Sequence, residues 1–409
     1  MSTAPGRPGR IVSEPRLDHY DVVIVGGAII GSSVAWYLSD NPDFDGTILV
    51  VERDLSYETS STAHTNSCMR QQFSNELNIE ISQYAADVVR NFRAHLGGDP
   101  EIPDLAANHY GYLYLAGDDA FAETLRTNQR IQAAKGAATR ILSAEDIAAE
   151  YPFVNVDDLV CGSHNPVDEG YFDSGTMFDW WRRLARRNGA EYLANEVVDL
   201  VRADDRVTGV VLAAGGTVGC GAVVNASGPR AARTAGMAGL EVPVEPRKRY
   251  TFVFDAAETL PRDVPLTIDP TGVHVRSEGT AYMAGCTPDH DPAVDPDDFA
   301  MDDDIWEDKV WPTLAHRIPA FERIKLRTRW AGHYAHNTVD HNVIVGPHPE
   351  VPNFVFVSGF SGHGLQQAPA MGRGVSEWLA YGQYRSLDLT PLGYDRIVRG
   401  EPFVETAII

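Results

Sequence analysis

The chain has 409 residues, 44% of them hydrophobic, enough for a large core and for two domains. Its formal net charge of −23 argues against nucleic acid or an anionic membrane surface as a partner. The four cysteines, Cys68, Cys161, Cys220 and Cys286, form no C-x-x-C pair, so neither a zinc site nor a disulfide framework is indicated and a reducing cytoplasm fits best.

Residues 1–17 are polar and rich in Pro, Gly and Arg, and read as a flexible tail rather than a signal peptide. Residues 22–38 are the longest apolar stretch, but three glycines and two serines interrupt them, so no membrane span is expected. That stretch opens the most informative unit of the chain. Residues 20–25 are a short apolar strand, Gly26-Gly27-Ala28-Ile29-Ile30-Gly31 follows, and residues 32–39 continue as a helix. A second strand, 47–51, ends on Glu52, 21 positions after Gly31. This is the βαβ pattern of a dinucleotide site. Gly26 allows the tight turn, Gly31 the close packing of helix on sheet, and the helix N-terminus offers free N–H groups to a pyrophosphate. Glu52 is placed to accept from ribose hydroxyls. Ala28 stands where a second glycine is expected, and its methyl group tightens the phosphate approach without blocking it.

Further along, residues 60–67 form a small polar loop that leads into Met69-Arg70-Gln71-Gln72-Phe73. Helices are expected over 75–95, 120–134, 174–187, 302–316 and 369–381, and strands over 111–115, 223–229, 244–255, 272–285 and 353–357. Residues 192–218 read as a small β-meander, 358–364 as a glycine-rich loop, and the acidic run 295–304 as solvated surface. Three places gather cations, tyrosines and histidines. Alternation puts Arg249 and Tyr250 on opposite faces of one strand. Arg70 is a second cation, whose plainer role is an ion pair with Glu76 or Glu80. His333-Tyr334-Ala335-His336 is the third; its two histidines lack a third ligand at a recognisable spacing, so no metal is expected.

Four segments together resemble the D-amino-acid oxidase superfamily of FAD-dependent amine oxidoreductases, in the sarcosine oxidase, glycine oxidase and dimethylglycine dehydrogenase branch. They are the Gly26–Gly31 unit with Glu52, the Ser61-Thr62 loop running into Arg70-Gln71-Gln72-Phe73, Asn225-Ala226-Ser227-Gly228-Pro229, and Ser358-Gly359-Phe360-Ser361-Gly362-His363-Gly364. Their order and spacing match over nearly the whole chain. The resemblance implies an α/β (α+β) fold, with a Rossmann-type FAD-binding domain (18–100, 140–242 and 328–409) interleaved with an antiparallel-sheet substrate domain (101–139 and 243–327). It implies an FAD site made by Gly26, Gly27, Ala28, Ile29, Ile30, Gly31, Glu52 and Arg53 at the adenosine end. Ser61, Thr62, His64, Arg70, Gln71, Val197, Ala226 and Gly228 would follow along the cofactor, and Gly332, Gly362, His363, Gly364, Leu365 and Gln366 would meet the flavin. Arg249, Tyr250, Arg70, His333 and Tyr334 are the candidates for the substrate side.

The chain departs from the branch in places. Sarcosine oxidases bind flavin through a cysteine beside a Met-Tyr pair; Gly332-His333-Tyr334 stands there, so that bond cannot form. Dimethylglycine dehydrogenases use a histidine after a Ser/Thr-rich loop, which leaves a covalent link at His64 as the alternative to non-covalent FAD. The lysine that sarcosine-type enzymes carry two residues after His-Gly is Gln366 here, which puts sarcosine itself in doubt. The expectation is an enzyme oxidising a C–N bond of an amino acid or secondary amine by hydride transfer to flavin N5, with O2 or a carrier as acceptor. The alternatives are a 2-hydroxy acid or glycerol phosphate dehydrogenase of the same fold, and a non-catalytic flavin-binding assembly protein, since one such protein shares the run Ser361 to Pro369.

Overall fold

A computed structural model describes residues 11–406. Its first sheet is built around His19–Val25, which lies parallel to Ile48–Glu52 on one side and to Thr217–Asn225 on the other. The apolar run of this strand is buried on both faces, as its unbroken Val-Val-Ile-Val sequence requires. Glu191–Ala194 extends the sheet beyond Ile48–Glu52, and Ile11–Val12 pairs with it in turn. Residues 11–12 of the expected flexible tail are therefore a sheet edge, and Arg16 N donates to Glu191 Oε1 at 3.0 Å just after them; residues 1–10 of that tail lie outside the described residues. On the other side, Phe354–Ser358 joins Thr217–Asn225 in parallel, and the meander Val197–Ala203, Arg206–Leu212, Thr217–Asn225 is antiparallel.

Four helices cover one face of this sheet: Ile29–Ser39, Glu76–Arg90, Ser174–Arg187 and Gly364–Tyr381. Two of these starts are coded locally. The Asn75 and Asp173 side chains accept from the N–H groups of Asn78 and Thr176. Trp36, Trp181, Ile81 and Met371 fill the interface with the sheet. The first and last helices are pressed together: Ser33 Oγ donates to Ala368 O at 2.7 Å, and a Cβ on Gly372 would stand 2.0 Å from that hydroxyl. The last helix begins at Gly364 rather than at Pro369, which lies inside it. The expected helix over 302–316 is a π turn, Trp306–Val310, followed by Trp311–Arg317.

The second sheet has eight strands in the order Ile324–Asn337, Val244–Ala256, Ala281–Cys286, His274–Glu278, Leu266–Ile268, Tyr112–Ala116, Cys161–Asn165 and Arg140–Ser143. All neighbours are antiparallel except Leu266–Ile268 beside Tyr112–Ala116. The strands at 140–143 and 161–165 thus sit in the second sheet, whereas the sequence assigned 140–242 to the dinucleotide domain. Cys161-Gly162-Ser163-His164-Asn165 is small, polar and wholly buried, so no hydrophobic alternation marks it. The long pair Val244–Ala256 and Ile324–Asn337 joins the two layers. Val244 and Ala335 lie in the core of the first sheet, while Phe252, Phe254 and Ala331 lie in that of the second.

Candidate active site

A cavity of about 270 Å³ runs between the two sheets. One end is the glycine turn. Gly26 has φ +96°, and a Cβ there would meet Ala226 O at 2.5 Å, so only glycine fits. A Cβ on Gly31 would stand 1.9 Å from Gly26 O, which seats the helix directly on the turn. Ala28 is the N-cap of that helix, and its methyl group caps nothing. Glu52 Oε2 accepts from Gly27 N at 2.7 Å and Oε1 from Asp54 N at 2.9 Å, so its carboxylate pins the turn. Burial pushes its pKa up, against those two N–H donors. The residues present fit an adenine dinucleotide: a helix start for the pyrophosphate, a side-chain-free turn beside it, and an acid at the strand end for the ribose.

Along the cavity, Thr62 Oγ1 accepts from Ile29 N at 3.3 Å and Ser61 Oγ donates to His333 O at 2.6 Å, which ties the polar loop to both layers. His64 Nδ1 donates to Ser60 O at 3.0 Å. Its Cβ packs where Gly332 has none; a Cβ at Gly332 would be 2.7 Å away. At the far end, Gly362 (φ +98°) lies under the ring of Tyr334, with 2.6 Å to a notional Cβ, and the uncapped helix Gly364–Tyr381 starts beside it.

Arg70 is buried in this end. Its guanidinium stands 4.5 Å from the ring centre of Phe73, 5.9 Å from Tyr112 and 5.8 Å from Tyr114, and Nη2 donates to His363 Nε2 at 3.0 Å. The ion pair with Glu76 or Glu80 is not formed by Arg70: Lys135 holds both acids, at 2.7 and 2.8 Å. Arg249, Tyr250, His333 and Tyr334 all border the cavity. Alternation does not separate Arg249 from Tyr250 here, because Arg249 faces Gly332 across the strand pair and its long side chain lies over the Tyr334 ring at 4.7 Å. Of the expected cofactor residues, Gly26, Ala28, Ile29, Ile30, Glu52, Arg53, Ser61, Thr62, His64, Arg70, Val197, Ala226, Gly228, Gly332, Gly362, His363, Gly364 and Leu365 border the cavity. Gly27, Gly31, Gln71 and Gln366 stand behind its wall. Gln366 Oε1 accepts from Arg70 N at 2.7 Å, and Gln71 N donates to Glu169 Oε1 at 2.7 Å.

Sequence reasoning missed Asn66 and His274. Both border the cavity, and Asn66 Nδ2 donates to His274 Nε2 at 3.0 Å. His274 is held neutral: burial first, then the Arg276 and Arg249 charges, push its pKa down to about 4. Among the described residues, Asn66 Oδ1 and His274 Nδ1 are buried without a hydrogen-bond partner, which leaves one acceptor and one N–H unused on two residues of the cavity wall. Alternation within His274-Val275-Arg276-Ser277-Glu278 was the available signal, but every residue up to Ser277 is buried, which hides which face matters.

The acidic run is largely exposed, as the sequence suggested, but Asp297, Asp298 and Asp303 are each also ion-paired. Residues 287–304 contain no helix or strand; Pro296 lines the cavity, and the segment is strapped to cavity-lining residues by ion pairs. Asp297 pairs with Arg53 (3.2 Å) and with Arg230, Asp298 with Lys248 (2.7 Å), Asp291 with Arg249 (2.9 Å) and Asp303 with Arg329 (2.6 Å). The His333 ring donates from Nε2 to Asp298 O at 2.9 Å, and Phe299 packs against both His64 and His333. A count of acids could not show this, since their cationic partners lie far away in sequence.

Among the described residues, no helix is long and apolar enough to cross a membrane. The chain is similar to the FAD-dependent oxidoreductase domain-containing protein 1 of Bos taurus, 36% identical over 424 residues that span 95% of this chain and 87% of that protein. It is similar to the mitochondrial sarcosine dehydrogenase of Mus musculus, 23% identical across 91% of this chain and 41% of that one. In structure it resembles the L-proline dehydrogenase of P. horikoshii, with a TM-score of 0.81 and 25% identity over 94% of this chain and 99% of that one. A family model described as FAD dependent oxidoreductase matches residues 21–378. The chain therefore belongs to this family of FAD-dependent oxidoreductases, with a Rossmann-type cofactor layer interleaved with an antiparallel substrate layer.

Proposed function

We propose that the chain oxidises a C–N bond of an amino acid or secondary amine, using FAD bound non-covalently in the interlayer cavity. Bound there, FAD supplies a hydride acceptor. Glu52 and the turn at Gly26 would hold the adenosine, the helix start at Ala28 the pyrophosphate, and the Gly362–Gly364 turn the flavin end.

The observation that carries the reading is the shortage of a ready proton acceptor at that far end. Oxidising a C–O bond by hydride loss needs a base to take the hydroxyl proton, and such a base works best with a pKa near the working pH. His274 is pushed down to about 4, burial also lowers His333, whose Nε2–H is spent on Asp298 O, and His363 Nε2 already accepts from Arg70. A neutral amine needs no such base, since its own lone pair drives the hydride out. What it requires is placement against a dry wall. Tyr112, Tyr250, Leu266 and Tyr334 provide that wall. The names of similar proteins, sarcosine dehydrogenase and L-proline dehydrogenase, support the same class of bond.

The test is anaerobic flavin absorbance while amino acids, N-methyl amino acids and 2-hydroxy acids are added in turn. Rapid bleaching by an amine is the expected result. Bleaching by hydroxy acids alone would transfer the reading to C–O oxidation, and a yellow protein that nothing bleaches would transfer it to a scaffold.

A further inference from the structure

The Arg249 guanidinium is the cation that best fits a substrate carboxylate at the mouth of the pocket, and the chain already fills it with a carboxylate of its own. Nη1 donates to Asp291 Oδ1 at 2.9 Å and Nη2 to Asp291 Oδ2 at 3.0 Å, the two-pronged geometry that a bound acid would adopt. The pair is largely shielded, with side chains 12% and 23% exposed. The guanidinium rests on the Tyr334 ring at 4.7 Å, and Arg249 Nε is buried without a partner. Arg249 borders the cavity beside Tyr250, His274 and Tyr334.

Asp291 is held differently from its partner. Arg249 is fixed within a long paired strand, whereas Asp291 sits on the strap of residues 287–304, which has no regular structure. The strap is tied down by charge, at Asp289 to Lys309 (2.5 Å), Asp297 to Arg53 (3.2 Å) and Asp298 to Lys248 (2.7 Å), and by a backbone bond, Val294 N to Pro246 O at 3.0 Å. A fixed cation facing a carboxylate on a strap is an exchangeable arrangement: an incoming acid can take the same two N–H donors if Asp291 withdraws.

We infer that Asp291 is a specificity-determining residue that competes with the carboxylate of a substrate for Arg249. This rests on the reading of the cavity as an amine-oxidising pocket. An uncharged amine meets a neutral Arg249–Asp291 pair and has nothing to displace. An amino acid must break that pair to seat its carboxylate at Arg249, so Asp291 weakens acids relative to uncharged amines. The competition also links acid binding to movement of the strap that carries Phe299 and Asp298 over His64 and His333.

The experiment titrates the FAD-loaded full chain with benzoate and with benzamide, its uncharged counterpart, and follows the perturbation of the flavin absorbance. The wild type, Asp291→Asn, Arg249→Gln and the double variant are compared, each with its flavin content and melting temperature. Removing one charged two-pronged competitor is expected to tighten benzoate about tenfold or more in Asp291→Asn. Benzamide should bind unchanged, and the gain should vanish in the double variant. Benzoate affinity that is equal or weaker in Asp291→Asn, at full flavin content, overturns the inference, as does a gain that survives in the double variant. Should Asp291→Asn lose its flavin, Asp291→Ser read by the same titration decides. Binding is read without turnover, so the two readings fail separately. A tenfold gain in a protein that no amine bleaches refutes only the reaction, and amine turnover with no gain refutes only the role of Asp291.

Discussion

Replacing Glu52 with alanine removes the acceptor of two backbone N–H groups at once, Gly27 at 2.7 Å and Asp54 at 2.9 Å. Hydrogen bonds to a charged acceptor are worth about 1.5–3 kcal/mol each, and water entering a half-buried site returns part of that, so the turn loses about 2–4 kcal/mol. The ribose loses its partner in the same step. If the turn must be re-ordered each time the cofactor binds, the FAD dissociation constant rises by about 30-fold to 10³-fold. The assay is flavin fluorescence recovered on dilution, alongside the ratio of flavin to protein after purification. Circular dichroism of the cofactor-free proteins separates a local loss from global unfolding. Glu52→Gln, which keeps one acceptor oxygen, should fall between the two. A Glu52→Ala protein that holds stoichiometric FAD with an affinity within about threefold of wild type would falsify the assignment of Glu52 to the adenosine end, since even one lost charge-assisted bond is worth more.

Other consequences are open to measurement. Asp340 is fully buried and grips Arg396 at 2.6 and 3.0 Å while also accepting from Phe403 N at 2.9 Å; Asp340→Asn should cost about 3–5 kcal/mol in urea unfolding, because it strands a buried cation, and a loss below 1 kcal/mol contradicts this. His274 has a folded pKa of about 4, below its ordinary 6.5. Its contribution is therefore whole above pH 6.5 and is lost as the pH falls toward 4. Between pH 6.5 and 5 the wild type should lose about 2 kcal/mol that His274→Asn does not lose, and parallel pH profiles would refute the burial argument. Acid precipitation should release all the flavin from the protein; a flavin-bearing peptide containing His64 would show a covalent link instead.

How much of this was legible beforehand differs by element. The βαβ unit could be read because its signals are local: apolar strands, a fixed glycine spacing and an acid at the strand end. Helix Ser174–Arg187 was equally plain, with Asp173 as its cap and a strongly one-sided apolar pattern. The strand Cys161–Asn165 was invisible because every residue is buried and none is strongly apolar. Arg70 and Arg249 were recognised as cations near the pocket, but their partners were not. Phe73 lies close to Arg70 in sequence, yet Tyr112 and His363 are distant, and Asp291 is 42 residues from Arg249. The ion pairs of the strap were hidden for the same reason. Charge density shows where acids are, while their pairing is a property of the folded layers.

The pairing of Thr217–Asn225 with Phe354–Ser358 has a consequence for how the protein is made. During synthesis the N-terminal glycine turn and its helix leave the ribosome long before the segment that completes them. Until Phe354–Ser358 arrives, the Val223–Asn225 end of that strand is open on one side, and the surface of Ile29–Ser39 that will meet the last helix is uncovered. The cofactor cannot hasten this, because Gly362–Gly364 is emitted later still. The nascent chain must therefore carry an adhesive, half-built sheet through most of its translation, and the yield of folded protein should respond to chaperone supply more than to added FAD.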